Sequence, residues 1–116
     1  MNDTCIRVDE PLIKQMVQNL PDEQTINRMS AIFQALQSDT RLKILFLLSQ
    51  KEMCVCELEC ALDVTQSAIS HSLRALRQLD LVRVEKQGRF AIYDLADDHI
   101  RTLIDLCNRH VTECST

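Results

Sequence analysis

The stretch that decides the fold runs from residue 63 to residue 95 and reads DVTQSAISHSLRALRQLDLVRVEKQGRFAIYDL. Its first part predicts a helix over roughly Gln66–Leu79, because apolar residues recur at helical spacing. These residues are Ile69, Leu73, Leu76 and Leu79. The preceding Asp63-Val64-Thr65 reads as a tight turn, and Thr65 is a suitable N-cap for the helix.

Behind Asp80 the apolar spacing changes from helical to alternating. LVRVE (81–85) and FAIYDL (90–95) alternate apolar and polar residues, and Lys86-Gln87-Gly88-Arg89 lies between them. This segment holds the only glycine of the chain, the residue best able to adopt a positive φ in a turn. The pattern predicts a β-hairpin.

A shorter helix is predicted over Cys54–Leu62, in front of the turn. Val55 and Leu58 face inward in it, with either Cys54 or Ala61 as a further inward position. Two short helices joined by a tight turn form a helix-turn-helix, and the second is the candidate to enter the DNA major groove. A hairpin directly behind them is a wing, so the fold class is mainly α with a β-hairpin wing.

The remaining segments are predicted to be helical. They are Pro11–Asn19, a long helix from Pro21-Asp22 to near Ser38, the helix TRLKILFLLSQ with Asp39 as N-cap, and Asp98–Cys114. We expect residues 1–20 to form an N-terminal arm with a short helix, and residues 21–114 to form the winged domain with a C-terminal dimerisation helix. A chain of 116 residues builds only a modest core and often completes it by dimerising.

The net charge of −4 is unevenly distributed. Residues 65–93 carry five Lys or Arg against two acids, whereas residues 1–64 carry six basic against ten acidic side chains. DNA binding depends on the local surface that faces the phosphates rather than on the overall charge. The basic segment is either a DNA-facing surface or an ordinary solvated face.

The same segment contains the candidate DNA contacts. Bidentate side chains such as Gln and Arg read base edges, and Ser contacts base or phosphate. On the exposed side of the second helix these are Gln66, Ser67, Ser70, His71 and Arg74. At the hairpin tip, Lys86 and Arg89 would reach the backbone or the minor groove. Arg77 and Arg83 suit phosphates better than bases.

The cellular compartment follows from what the sequence lacks. No apolar run approaches the ~20 residues that span a bilayer, so no membrane partner is expected. The first residues, MNDTCIRVDEPL, lack the basic and apolar regions of a signal peptide. We therefore expect a cytoplasmic protein with reduced cysteines, in which metal binding is favoured over disulfides.

Three of the six cysteines lie in MCVCELEC, residues 53–60. Cys56 and Cys60 are one turn apart on one helix face, and Cys54 lies just before them. Soft thiolates favour Cd(II), Pb(II) and Zn(II), and also trivalent arsenic or antimony. The alternatives are small buried residues or a redox pair, although no C-x-x-C is present.

A second candidate metal site lies in the last helix, at Asp97, His99, His110 and Glu113. His99 and His110 share a face but are ~16 Å apart along the axis, too far for one ion with bonds of ~2 Å. An antiparallel pair of these helices would remove that difficulty. The alternative is helix capping by Asp97 with solvated histidines. Cys107 and Cys114 flank His110 as core, interface or additional ligand residues.

No catalytic arrangement is evident, so we expect no enzyme. The sequence offers no Ser/His/Asp set, no phosphate-binding loop and no catalytic carboxylate pair.

The sequence resembles the ArsR/SmtB family of metal-responsive winged-helix repressors over roughly residues 24–113. The motifs that carry the resemblance are DTRLKILFLL, CVCEL, DVTQSAISHSLRALRQLDLV, KQGRFAIYDL, and DDHI followed by H-x-x-E. It is most similar to the cadmium, lead and zinc sensors of the CadC type. The resemblance implies a homodimer that binds a palindromic operator in double-stranded DNA when metal-free and releases it on binding Cd(II), Pb(II) or Zn(II).

The resemblance also implies metal ligands. Cys54 and Cys56 match the thiolate site, and Cys5 matches an N-terminal ligand of those sensors. Their second N-terminal cysteine has no counterpart here, so either Cys60 replaces it or the site is three-coordinate. In the zinc site of the family, Asp97 and His99 of one chain would meet His110 and Glu113 of the other.

Two related functions stay open. The arsenic sensors of the family have a third cysteine one position earlier than Cys60, so an arsenite- or antimonite-responsive repressor is one alternative. A thiol-based redox regulator of the same fold is the other.

Overall fold

Six helices and three short strands make up residues 5–114, the part of the chain described by the computed structural model. They are α1 (Glu10–Gln18), α2 (Glu23–Ala35), α3 (Asp39–Gln50), β1 (Met53–Cys54), α4 (Val55–Ala61), α5 (Gln66–Gln78), β2 (Val82–Gln87), β3 (Phe90–Leu95) and α6 (Asp98–Cys114). The described residues divide into two units, with the boundary between Ser30 and Ala31. Across residues 5–114, every helix is too short or too polar to cross a bilayer.

The first unit contains α1 and most of α2. Asp9 caps α1 by accepting a hydrogen bond from the Leu12 N–H at 3.1 Å, and Pro11 stands in the first turn, where a missing N–H costs nothing. Asp22 accepts from the Thr25 N–H at 2.7 Å. This hydrogen bond lowers the pKa of Asp22. The helix predicted from Pro11 and the break at Pro21-Asp22 are both confirmed.

The core of the second unit is built around α3. Ile44, Leu45 and Leu48 of this helix are almost fully buried. The residues that pack with them are Leu58, Ile69, Leu73, Leu76, Leu81, Val82, Leu95, Ile100 and Ile104. The helix-turn-helix, the wing and α6 therefore share one apolar core.

The end of α2 and the N-cap of α3 differ from the prediction. α2 ends at Ala35 rather than near Ser38. The N-cap of α3 is Ser38, whose hydroxyl accepts from the Arg41 N–H at 3.2 Å, so the prediction of Asp39 was wrong by one residue. Ser and Asp are comparable caps, and Asp39 instead contributes a favourable negative charge to the first turn.

The helix-turn-helix consists of α4 and α5. The predicted cap of α5 is confirmed, because the Thr65 hydroxyl accepts from the Ala68 N–H at 3.0 Å. The buried side of α5 is formed by Ile69, Ser72, Leu73 and Leu76. Leu79, predicted as the last helical residue, is the C-cap.

The wing is part of a three-stranded antiparallel sheet in the order β1-β3-β2. β2 pairs with β3 from Val82↔Leu95 to Gln87↔Phe90, which leaves a loop of Gly88 and Arg89. Gly88 has φ +63°, and glycine first in a two-residue loop is typical of a type II′ hairpin turn. Lys86 and Gln87, predicted in the turn, belong to β2.

Candidate metal centres and nucleic-acid interface

Cys54 stands at the junction of β1 and α4. It is the last residue of β1 and the N-cap of α4, with extended backbone angles, so the prediction that the helix itself begins at Cys54 was wrong. The Glu57 carboxylate accepts from the Cys54 N–H at 3.0 Å. This backbone hydrogen bond, and then one from the Cys54 side chain, lower the pKa of Glu57. The half-buried Cys54 thiol is thus held at the start of the helix.

The other two clustered thiols are more accessible. Cys56 and Cys60 are both exposed and lie one turn apart on the same face of α4. Ala61 is also exposed, while Val55 is half-buried and Leu58 is buried. Of the two further inward positions considered for this helix, only Cys54 is partly buried.

The donors fit a thiophilic ion chemically, but the described part of one chain does not bring them together. Among the side chains described, those of residues 5–113, no three Cys, His, Asp or Glu are clustered closely enough to hold a metal ion. Cys56 and Cys60 provide two thiols on one face. Cys5 is exposed in the first unit. A complete thiolate site therefore requires additional donors to approach the α4 pair.

Two of the four residues predicted for the last-helix site, Asp97 and His99, lie close together. One oxygen of Asp97 accepts from the Ile100 N–H at 3.2 Å and caps α6. The other oxygen is 3.6 Å from Nδ1 of His99. Two ligands on a tetrahedral zinc ion are separated by roughly 3.3 Å, so these two groups are spaced for one ion. Capping and metal binding are compatible because they use different oxygens.

The second half lies toward the other end of α6. His110 and Glu113 are exposed and three residues apart, which puts them on one helix face. Glu113 forms an ion pair with Arg109 through one carboxylate oxygen, at 3.4 Å. The spacing along one helix separates this half from Asp97 and His99.

Cys107 borders an apolar groove between α2, α3 and α6. The groove has a volume of about 420 Å³. Its lining includes Phe33, Leu36, Phe46, Leu103 and Val111. Cys107 is exposed, so it is not a core residue of the single chain. The side chain of Cys114 lies outside the described part of the structure.

The exposed side of α5 carries the predicted base-reading residues. Gln66, Ser67, His71 and Arg74 are exposed, and Ser70 is half-buried. Ser67, His71 and Arg74 lie opposite the face that Ile69, Leu73 and Leu76 bury in the core, and Gln66 and Ser70 lie at the edge of that face. The helix therefore presents polar side chains suited to base edges along one free face.

The wing carries the remaining cations. Lys86 and Arg89 are exposed at the end of the hairpin. Arg83 forms an ion pair with Asp94 of the neighbouring strand at 3.6 Å. That pair makes Arg83 a weaker candidate for a phosphate contact than the exposed Arg77 at the end of α5.

Sequence reasoning missed the strand β1. Met53 pairs with Tyr93, and Cys54 pairs with Ile92, so the first thiol of the cluster is in the same sheet as the wing. A strand of two residues is too short to show the alternating pattern that reveals longer strands.

Comparison with known proteins agrees with this geometry. Residues 38–84 match the family described as bacterial regulatory protein, arsR family. A transcriptional repressor SmtB homolog from Synechocystis is 36% identical over 110 residues, covering 90% of this chain and 83% of that protein. A cadmium resistance transcriptional regulatory protein CadC homolog from Staphylococcus aureus is 33% identical over 89 residues, covering 76% of this chain and 74% of that protein.

A solved structure shows the same architecture. It is the homodimeric winged helix-turn-helix DNA-binding domain of Mb0332 from Mycobacterium bovis, a possible ArsR-family transcriptional regulator. The TM-score is 0.75 at 25% identity, with 84% of this chain and 93% of that chain covered. The predicted fold class is thereby confirmed. The chain belongs to the ArsR family of bacterial regulatory proteins, and it is a winged-helix transcriptional regulator rather than an enzyme.

Proposed function

We propose that this protein is a metal-sensing repressor that binds operator DNA as a metal-free homodimer and dissociates when Cd(II), Pb(II) or Zn(II) binds. The observation that carries the proposal is the position of the thiols. Cys56 and Cys60 are exposed on α4, the first helix of the helix-turn-helix, and Cys54 caps it. A change at these residues acts directly on the element that supports the reading helix.

The DNA-facing surface combines α5 with the wing. Arg74 and its neighbours on the exposed side of α5 would read base edges, and Lys86 and Arg89 would contact the backbone or the minor groove. A dimer with two such surfaces matches a palindromic operator with a defined half-site spacing. Since the target is operator DNA, we propose that the protein acts in the cytoplasm.

The dimer interface would be formed by the C-terminal part of the domain proposed for residues 21–114. Exposed Leu106 lies on the same stripe of α6 as His99 and His110. In an antiparallel pair of α6 helices, Asp97 and His99 of one chain would approach His110 and Glu113 of the other. Leu106 would then lie near the middle of the interface, and residues 1–20 would remain an arm that supplies Cys5.

Release of DNA follows from coupling between the two ligands. Thiolates, or imidazoles and carboxylates, that were held together by one metal ion would favour one arrangement of the chains. If this arrangement does not match the half-site spacing, DNA and metal weaken each other's binding by the same factor. Such coupling is typically ~1–3 kcal/mol.

Trivalent arsenic or antimony is the second candidate ligand. Cys60 supports it, because this exposed thiol is one turn from Cys56 and would complete a three-thiol set with Cys54. In this alternative the same fold releases the same operator, and only the inducing ion differs.

The decisive experiment starts with the reduced, metal-free protein. Duplexes that it binds are selected from a random pool, and binding is followed by fluorescence anisotropy. Cd(II), Pb(II), Zn(II) and arsenite are then titrated separately, with ultraviolet detection of thiolate charge transfer. Release by at least one ion supports the proposal. Binding that responds to peroxide but to none of these ions would instead indicate a redox regulator.

A further inference from the structure

The wing carries an exposed aromatic residue that the proposed reading of DNA does not use. Phe90 is the first residue of β3, directly behind the two-residue loop, and its side chain is 53% exposed. Among residues 31–114, the other exposed large apolar residues are Phe33, Leu106 and Val111. These three lie on α2 and α6, at or near the surface proposed for dimerisation, so Phe90 alone is left without an assigned partner.

The register of the hairpin fixes the direction of Phe90. Directly paired residues point to the same side of a sheet, and successive residues alternate. Val82 and Leu95, which are paired, point into the core and are 2% and 3% exposed. Phe90 is paired with Gln87 and lies on the opposite side. The ring therefore faces away from the core of its own unit.

Charge at the wing tip favours a nucleic acid as the partner. Residues 86–90 read KQGRF, with two cations and no acid. The cross-strand neighbour of Phe90 is a polar glutamine rather than an apolar residue that would cover the ring. Arg89 stands in the loop directly before Phe90, while Lys86 is paired with Ala91 and points to the other side of the hairpin. An apolar ring beside an exposed cation at the tip suits a surface that carries phosphates next to apolar groups.

We infer that Phe90 packs against the apolar faces of the deoxyriboses that line the minor groove beside the operator half-site. Apolar side chains enter the minor groove in several classes of DNA-binding protein. The sugars are the same at every position, so this contact positions the wing without reading sequence. The inference rests on the proposed function, because it requires that the wing meets double-stranded DNA.

The test compares three substitutions that should fail in different ways. Arg74→Ala should weaken binding to the selected operator more than to a scrambled duplex of equal length. Arg89→Ala should weaken both and lower the salt slope by about one, because a phosphate contact releases counterions. Phe90→Ala should weaken both by roughly tenfold, as expected for covering the exposed half of a phenyl side chain, and should leave the salt slope unchanged.

Phe90→Leu is the matched control, because it keeps an apolar side chain at the same strand position. It should recover most of the affinity that Phe90→Ala loses. Thermal unfolding and sedimentation of each variant are measured in parallel. If Phe90→Ala lowers stability or dimer affinity while the folded dimer binds DNA as tightly as wild type, the ring has a structural or inter-subunit role and the inference is overturned.

The experiment distinguishes a failure of the proposed function from a failure of the inference about Phe90. If no duplex is bound by the metal-free wild type, the proposed function fails together with this inference. If Arg74→Ala and Arg89→Ala behave as expected but Phe90→Ala binds both duplexes like wild type, the inference about Phe90 alone is overturned.

Discussion

Cys54 lies directly opposite Ile92 in the antiparallel pairing of β1 with β3. A thiol of the candidate metal site therefore belongs to the same sheet as the wing. Because paired residues share a face, Cys54 and Ile92 lie on the face of the sheet that also carries Phe90. The candidate metal-binding cluster and the candidate DNA-binding wing are thus contiguous through two backbone-paired residues.

The first prediction concerns the thiols. Cys54→Ser should remove the Cd–thiolate charge-transfer absorption and leave metal-free operator binding intact. Serine is a favourable N-cap, so this substitution removes the thiol and preserves the start of α4. Cys56→Ser should have the same effect. The measurement is a Cd(II) titration of each reduced variant, followed by ultraviolet absorption and operator anisotropy.

Two further variants complete that experiment. Cys107→Ser is the control, because this exposed cysteine lies on α6 and should not alter the absorption. Cys60→Ser decides the ligand set: a loss equal to that of Cys56→Ser identifies Cys60 as the replacement for the absent N-terminal cysteine. Unchanged absorption in both Cys54→Ser and Cys56→Ser would contradict the thiolate site.

The second prediction concerns zinc at α6. Asp97→Asn should give an operator-binding dimer that Zn(II) no longer releases, while Cd(II) still binds the thiols. Asparagine caps a helix as well as aspartate does, so the cap at Ile100 is kept while the negatively charged ligand is lost. His110→Ala should behave in the same way. If Zn(II) releases DNA equally from wild type and both variants, control by this site is refuted.

The third prediction concerns the dimer. Leu106→Lys should weaken dimerisation by more than roughly tenfold, because an unpaired ammonium would be buried at the interface. Asp105→Lys is the matched control: it introduces the same side chain at the adjacent exposed position, on a different face of α6. Sedimentation equilibrium over a range of concentrations measures both. Equal dimer affinity for the two variants would exclude an interface centred on Leu106.

The sequence was most informative where apolar spacing extends over several turns or pairs. The spacing of Ile69, Leu73 and Leu76 predicted α5, and the alternation around Gly88 predicted the hairpin. The failures occurred at the ends of elements and in the shortest strand. Ser38 and Asp39 are adjacent and are both good caps, so local preference could not select between them. The two-residue strand β1 depends on pairing with β3, which is a tertiary contact.

In the candidate sites, too, local features were predictable from the sequence and features that depend on tertiary contacts were not. Residue types pointed to the thiols as candidate ligands, whereas the Asp97, His99, His110 and Glu113 set was favoured over helix capping only by the resemblance to the ArsR/SmtB family. Whether these side chains come together around one ion depends on whether donors from the N-terminal unit or from a second chain come close to them. The half-burial of Cys54 and its hydrogen bonds with Glu57 could not be read from spacing, since they arise from the strand-to-helix junction.

The fourth prediction concerns the acid sensitivity of α2. The hydrogen bond from the Thr25 N–H lowers the pKa of Asp22 below its ordinary 3.8. A carboxylate with a depressed pKa stabilises the folded state above its unfolded pKa, and that contribution is lost as the pH falls through the folded pKa. Asp22→Ala should therefore increase amide exchange at the start of α2 at neutral pH, and the difference from wild type should shrink below about pH 4. Asp22→Asn, which can still cap, should show a smaller increase; a pH-independent difference for Asp22→Ala would contradict this account.

The fifth prediction concerns Asp80, which follows α5 in the left-handed region at φ 58°. The Leu81 N–H donates to the Leu76 carbonyl at 2.9 Å, and the Asp80 N–H donates to the Arg77 carbonyl at 3.0 Å. These bonds form a Schellman motif, in which glycine is the favoured residue at the position of Asp80. A Schellman motif is often accompanied by an apolar contact between the residues at the positions of Leu76 and Leu81, and both of these leucines are buried.

Asp80→Gly should therefore raise the free energy of unfolding by a few tenths to about 1 kcal/mol. The gain from relieving left-handed backbone strain exceeds the added chain entropy of glycine in the unfolded state. Asp80→Asn should be nearly neutral, because asparagine also tolerates this conformation, whereas Asp80→Ala should lower stability. Urea unfolding at one fixed protein concentration measures all three variants, since dimerisation makes stability concentration-dependent. If Asp80→Gly is the least stable of the three, the carboxylate of Asp80 makes a contribution that outweighs its backbone strain.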